Sequence, residues 1–193
     1  NLEKTFLLFN VLSTDKLSST QNNRFPFFQY KKIARKDKWS IEHIHAQQSK
    51  EMKEKEAMKK WLEDTYKAIE HIQNFERIVT KKDDNNEYYE EIEKVEVSED
   101  IKFKMLEMIN SDNIIPENFN LLKSQLTTMF DSESVHVLDN LALLSRKHNS
   151  SLNNAIFPVK RNRIIELQKE GKYVPLTTMN VFLKYYSKSD LQP

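Results

Sequence analysis

Two stretches of the chain concentrate side chains that can do chemistry. The first is Trp39-Ser40-Ile41-Glu42-His43-Ile44-His45. The second is Asp139-Asn140-Leu141-Ala142-Leu143-Leu144, then Ser145-Arg146-Lys147-His148-Asn149, with Asn153, Asn154 and Lys160 downstream. A carboxylate beside a histidine offers a hard oxygen ligand for a divalent cation and a base that titrates near neutrality. Neighbouring strand residues point to opposite faces, so Glu42 and His43 can serve one site only at a bend or a strand end. His43 and His45 share strand parity, which leaves a zinc site on that pair open. The plain alternative for the first stretch is a partly exposed polar strand, because Glu-His dipeptides are common. In the second stretch the asparagines double as turn formers and helix caps, Asn153 and Asn154 above all. His45, His71 and His136 read as structural or exposed residues rather than ligands.

Charge points the same way. Residues 145–172 carry seven Lys/Arg against two Glu, and residues 31–60 carry ten Lys/Arg against five Asp/Glu. The acid lies between, with nine Asp/Glu against three Lys in residues 81–100. Two basic regions around the two chemical stretches are what a phosphate-backbone surface requires, although the whole chain carries a net charge of only +1. The absence of cysteine excludes disulfides, a Cys nucleophile, thiolate zinc sites and iron–sulfur clusters. A single glycine excludes the Gly-rich phosphate loops of nucleotide-binding folds. No apolar run reaches the roughly 18 residues of a membrane helix and no signal peptide opens the chain, so the expectation is a cytoplasmic protein without a membrane partner.

The elements that must position these groups are mostly helical. Leu2–Leu12 reads as a short buried helix and Ser13–Asn23 as a polar loop. Arg24–Trp39 mixes aromatics with bases, and Pro26 breaks any helix there. The longest helical signal is Lys50–Ile78, with Met58, Trp61, Leu62, Ile69, Ile72 and Phe75 recurring at spacings of three and four. Lys81–Asp100 reads as a solvated acidic connector. Helices follow over Ile101–Ile109 and Glu117–Phe130, the second behind Pro116. Val135–Leu144 alternates and is predicted as a strand. Pro158–Glu170 is a helix closed by Gly171, and Leu176–Tyr186 a last helix capped by Thr177 or Thr178.

With these residues in place, the chain resembles the HNH (ββα-metal) endonucleases. Glu42-His43-Ile44, Asp139-Asn140-Leu141-Ala142-Leu143-Leu144, Asn149 and Phe157-Pro158-Val159-Lys160-Arg161 occur in that family's order. More narrowly they are similar to the C-terminal nuclease domain of GmrSD-type restriction endonucleases, with the pattern (D/E)HI, GNLxLL, N, N, F..K. The lead-in from Arg24-Phe25-Pro26-Phe27 to Trp39 is similar too. Departures are Glu42 where many members have Asp, His45-Ala46 where a proline is common, and Asp139 in place of glycine. His43 and Asn140 are 97 positions apart, which makes the intervening helices an insertion between two hairpin strands. Such a hairpin can still close, since closure entropy grows only logarithmically with loop length.

The resemblance implies an α+β, mostly α fold: a ββα-metal hairpin-plus-helix core in a single domain over residues 1–193, itself the C-terminal fragment of a longer protein. Residues 24–45 would hold the first motif and strand, 46–134 the helical insertion, 135–171 the second strand, metal-ligand turn and helix, and 172–193 the C-terminal helix. It implies a metal-dependent DNA endonuclease of restriction or anti-phage defence, partnered by an N-terminal ParB-like domain. His43 would be the general base and Asn140 a brace for the loop bearing it. Glu42 and Asn149 would hold one Mg2+ or Mn2+. Lys160, Arg161, Arg146 and Lys147 would contact nucleic acid, with His148 and Asn154 in supporting positions. Two rivals remain on the same residues: a degenerate HNH-like module that grips DNA without cutting, and a helical interaction domain whose polar clusters are incidental.

Overall fold

A computed structural model describes residues 2–18, 24–45, 51–131, 138–152 and 154–184. In chain order the elements are α1 (Leu2–Ser18), α2 (Phe27–Lys36), β1 (Trp39–His43), α3 (Lys55–Ile69), β2 (Asn74–Lys82), β3 (Tyr88–Glu96), α4 (Glu99–Asn110), α5 (Pro116–Phe130), β4 (Leu141–Ser145), α6 (Arg146–Leu152), α7 (Phe157–Lys169) and α8 (Leu176–Lys184). A short 3-10 turn, Leu138–Asn140, precedes β4. The fold is α+β and mostly helical, as expected. It divides into two compact units, Asn1–Gln47 with Ser134–Tyr185, and Gln48–Glu133 with Tyr186–Pro193. No helix among the described residues is long and apolar enough to cross a membrane.

The first unit is built on an antiparallel pair of five-residue strands, β1 and β4, in the register Trp39↔Ser145, Glu42↔Ala142 and His43↔Leu141. A two-stranded ribbon is marginal in water and needs cover. Here α1, α6 and α8 pack on it, and α7 packs on α6 and α8. Ala142, Leu143 and Leu144 are buried, together with Ile44, Ile156, Phe157, Ile164, Leu167 and Phe182. Phe157 stacks on Phe182 at 5.5 Å between ring centroids. Two buried side-chain bonds fasten the outer helices: Thr178 Oγ1 donates to the Leu143 carbonyl at 2.7 Å, and the Thr177 N–H donates to Asn10 Oδ1 at 3.1 Å.

The second unit packs α3, α4 and α5 with a β2–β3 hairpin. All six residues of the predicted apolar stripe are buried, from Met58 to Phe75. The helix itself ends at Ile69, and the last two of the six lie in the following turn and in β2. Trp61 meets Phe119 edge-on, and Phe75 stacks on Phe130.

Several expectations are corrected. Lys81–Asp100 is not a connector, and the 46–134 region is not wholly helical. The middle of that acidic stretch is β3, paired with β2 in the register Arg77↔Glu93 and Lys82↔Tyr88. Its carboxylates face cations across the hairpin: Arg77 meets Glu93 at 2.7 Å and Lys81 meets Glu91 at 2.7 Å. Arg77 also donates to the Thr128 and Met129 carbonyls, which closes off the end of α5. The turn is Asp83–Glu87, where Asp83 Oδ1 accepts from two backbone N–H groups and Asn86 takes φ 69°. The expected loop after Leu12 is helical as far as Ser18. Pro26 does not break a helix but immediately precedes α2. The predicted strand Val135–Leu144 is shifted to β4, and 135–137 lie outside the described residues, as do Asn153 and His136. Thr177 and Thr178 sit within α8 and bond to other elements instead of capping it.

Gly171 is where the sequence placed a helix stop. Its N–H donates to the Gln168 carbonyl and the Lys172 N–H to the Leu167 carbonyl, the paired bonds of a Schellman end, with φ 69° at the glycine. A Cβ there would meet nothing within 4 Å. Gly171→Ala should therefore cost about 1 kcal/mol purely through backbone conformation. Urea denaturation checks this; an unchanged midpoint would contradict it.

Candidate functional site

The β1–β4 register joins the two chemical stretches. Asn140, at the end of the 3-10 turn, accepts the His45 N–H on its Oδ1 at 2.7 Å, and its carbonyl accepts the Ile44 N–H at 2.8 Å. These bonds clamp the chain just beyond His43. His43 is the last residue of β1, and Ile44 and His45 form a bend. The condition for Glu42 and His43 to share a site, a strand end, is thereby met.

Asn149 docks on the strand that carries Glu42. Ser40 and Glu42 share one face of β1, about 7 Å apart along the strand. Asn149, on α6, docks against that part of β1: its Nδ2 donates to Ser40 Oγ at 2.9 Å and to the Ile41 carbonyl at 3.1 Å. The Ile41 carbonyl can only accept, which fixes the amide orientation and turns Asn149 Oδ1 away from both acceptors. α6 is placed for this by its first turn. Ser145 Oγ accepts the His148 N–H, the Lys147 N–H donates to Asp37 Oδ2, and the Arg146 N–H donates to the Lys38 carbonyl.

Glu42 is 7% exposed and lies against a second buried charge. Lys160 Nζ, on α7, sits 2.8 Å from Glu42 Oε1 and donates to the His43 carbonyl at 2.6 Å. Lys160 is therefore a strut between the carboxylate and the backbone of the expected base. Burial pushes the Glu42 carboxyl above its usual range, and the Lys160 ammonium opposes this without overcoming it. The carboxylate is under-compensated, with one oxygen committed to Lys160.

Expected phosphate contacts need correction. Lys160 and Arg161 are 2% and 6% exposed, so neither is a surface grip in this structure. Arg146 and Lys147 are exposed, as a surface role requires. His148 is half-buried, and its Nδ1 has no partner among the described residues. Burial lowers its pKa, helped by Arg163 and Lys147 and opposed by Asp37. Asn154 is exposed in the turn before α7. His45 is buried with its ring stacked on Phe157 at 5.2 Å, whereas His43 is half-buried, so the two rings of the zinc alternative have different surroundings. His71 is exposed beside Glu70. Ser40 and Asp37 escaped the sequence reading; the parity of Ser40 with Glu42 was visible, whereas Asp37 gave no local signal.

The donor chemistry suits one hard divalent cation: the uncommitted Glu42 oxygen and Asn149 Oδ1 are both hard oxygen donors, and the carboxylate lacks full compensation. No family model, curated protein or solved structure matches the chain.

The buried pair makes a sharp test. Lys160→Met leaves a buried carboxylate uncompensated and should destabilise by about 3–5 kcal/mol, whereas Glu42→Gln/Lys160→Met should recover most of that. Because the fold raises the Glu42 pKa, its contribution to stability is full below the unfolded value and is lost as pH rises through the folded one. Glu42→Gln should accordingly gain on wild type as pH rises in metal-free buffer. Added Mg2+ or Mn2+ should reverse the ranking by stabilising only wild type. Thermal melts across pH read both; a metal shift equal in the two proteins would contradict the ligand assignment.

Proposed function

We propose that the first unit is a metal-dependent DNA endonuclease with a ββα-metal core formed by β1, β4 and α6. The observation that carries this reading is the β1–β4 pairing, which brings the strand bearing Glu42 and His43 together with the Asn140–Asn149 segment from opposite sides of a long insertion: Asn140 bonds to the chain just beyond His43, and Asn149 to Ser40 and Ile41.

Each group has a role its surroundings support. The His43 imidazole takes the proton from a water molecule as that water attacks phosphorus. The new P–O bond forms as the bond to the 3′ oxygen breaks, leaving a 5′-phosphate and a 3′ oxygen that takes a proton from solvent to become a hydroxyl. Asn140 fixes the bend after His43 through the Ile44 and His45 amides, and Lys160 holds the His43 carbonyl from below. Glu42 and Asn149 would hold Mg2+ or Mn2+, which when bound supplies positive charge to the leaving oxygen. Ser40 orients Asn149 through the amide nitrogen and so keeps its oxygen available.

One observation favours a second reading. The Glu42–Lys160 pair already compensates part of the carboxylate, which suits a fold that grips DNA without hydrolysing it. Supercoiled-plasmid nicking in Mg2+ and in Mn2+ separates the two. Hydrolysis should appear in wild type, fall by about 10²–10⁴ in His43→Ala, and require higher metal concentration in Asn149→Ala. Metal-dependent nicking undiminished in His43→Ala would reject the base, and retained DNA binding with no nicking under any metal would establish the second reading.

A further inference from the structure

Helix α2 has no place in the catalytic account, yet its outer face is basic and free of acid. Tyr30 and Ile33 share the inner face, where Tyr30 stacks on Trp39 at 4.8 Å and the Trp39 indole N–H donates to the Tyr30 carbonyl. The outer face carries Phe28, Lys31, Lys32, Arg35 and Lys36, all exposed, and the helix contains no acidic residue. Arg35 and Lys36 lie in the last turn, where the helix dipole accounts for basic residues; Lys31 and Lys32 lie outside it.

This face does not stop at the end of the helix. Asp37 follows at once and ties α2 to the start of α6. Its Oδ2 accepts the Lys147 N–H at 2.9 Å and its Oδ1 the Lys38 N–H at 2.9 Å. The Arg146 N–H donates to the Lys38 carbonyl. Asp37 is thus committed to backbone donors, the Lys147 N–H foremost, which hold its carboxyl below the usual range. The same clasp sets the exposed side chains of Lys38, Arg146 and Lys147 beside the end of the α2 face.

We infer that the outer face of α2, continued across the Asp37 clasp to Arg146 and Lys147, is a phosphate-backbone surface that holds duplex DNA beside the hydrolytic site. This rests on the nuclease reading and extends it to a part of the molecule that reading leaves without a role. Charge complementarity carries the choice of partner: a run of exposed cations on a helix that contains no acidic residue fits a polyanion. The dimensions agree. A ten-residue helix is about 15 Å long, which spans about four phosphate steps of one DNA strand. β1 leads from the clasp to His43 over about 15 Å, so these contacts fall several nucleotides from the bond cut.

The test is equilibrium binding of a fluorescent DNA duplex to the full chain in EDTA, with His43→Ala as the parent so that no hydrolysis intervenes. The parent should bind with a steep salt dependence. Lys31→Ala/Lys32→Ala/Arg35→Ala should weaken binding about tenfold or more and reduce the log–log salt slope by about 0.9 for each phosphate that is no longer neutralised. Arg146→Ala/Lys147→Ala should act in the same direction. Lys59→Ala/Lys60→Ala/Lys67→Ala, which removes equal charge from exposed positions of α3, should change little, and all variants should keep the parent's melting temperature. An α2 variant that binds as tightly as the α3 control overturns the proposal, as does one that loses binding to phosphatidylserine vesicles while keeping duplex affinity. In the His43-intact background the α2 variant should raise KM for plasmid and leave kcat unchanged. Normal hydrolysis with unaltered binding sinks the surface and spares the nuclease reading; duplex binding through α2 without hydrolysis does the reverse.

Discussion

Two strands of five residues, held in one antiparallel register across an insertion that forms a compact unit of its own, are the constraint on which everything else rests. A slip of one residue would turn Glu42 to the other face and separate it from Asn149, because side chains alternate along a strand. Several devices secure the register. Asn140 captures two consecutive backbone amides beyond β1, Asn149 captures the Ile41 carbonyl, and the Arg146 N–H closes on the Lys38 carbonyl at the opposite end. Asn140 is buried and Asn149 half-buried, the partner in every case lies about a hundred residues away, and any other alignment would break these bonds.

Lys160 couples this scaffold to the chemistry. A buried ion pair is seldom a net source of stability, because desolvation of both charges offsets their attraction. Its value here lies in placement: one ammonium fixes a carboxylate side chain and the carbonyl of the next residue. The cost remains visible in the raised Glu42 pKa.

Much of this was legible in the sequence, and the failures have physical causes. The six-residue apolar stripe from Met58 to Phe75 marked the core of the second unit because burial sets its spacing whatever the local backbone does. The same stripe hid the end of α3, since a turn and a strand can bury Ile72 and Phe75 as well as a helix can. The acidic hairpin was misread because a charge count along the stretch does not show which carboxylate faces which cation: Glu93 meets Arg77 and Glu91 meets Lys81 only once the strands pair. Lys160 was misjudged for a similar reason. Lysine near a helix start reads as a surface cation until its buried partner, more than a hundred residues earlier, is known. Gly171 was readable because the left-handed helix end strongly favours glycine.

The central claim is that Glu42, His43 and Asn149 address a single cation at the end of β1. Paramagnetic broadening by Mn2+ in the isotope-labelled protein tests it most directly. The Asn149 side-chain amide, the His43 ring and the Ala142 N–H should broaden first and together, and Glu42→Gln should abolish the effect. Broadening confined to the carboxylate-rich strand β3, with those three signals untouched, would contradict it.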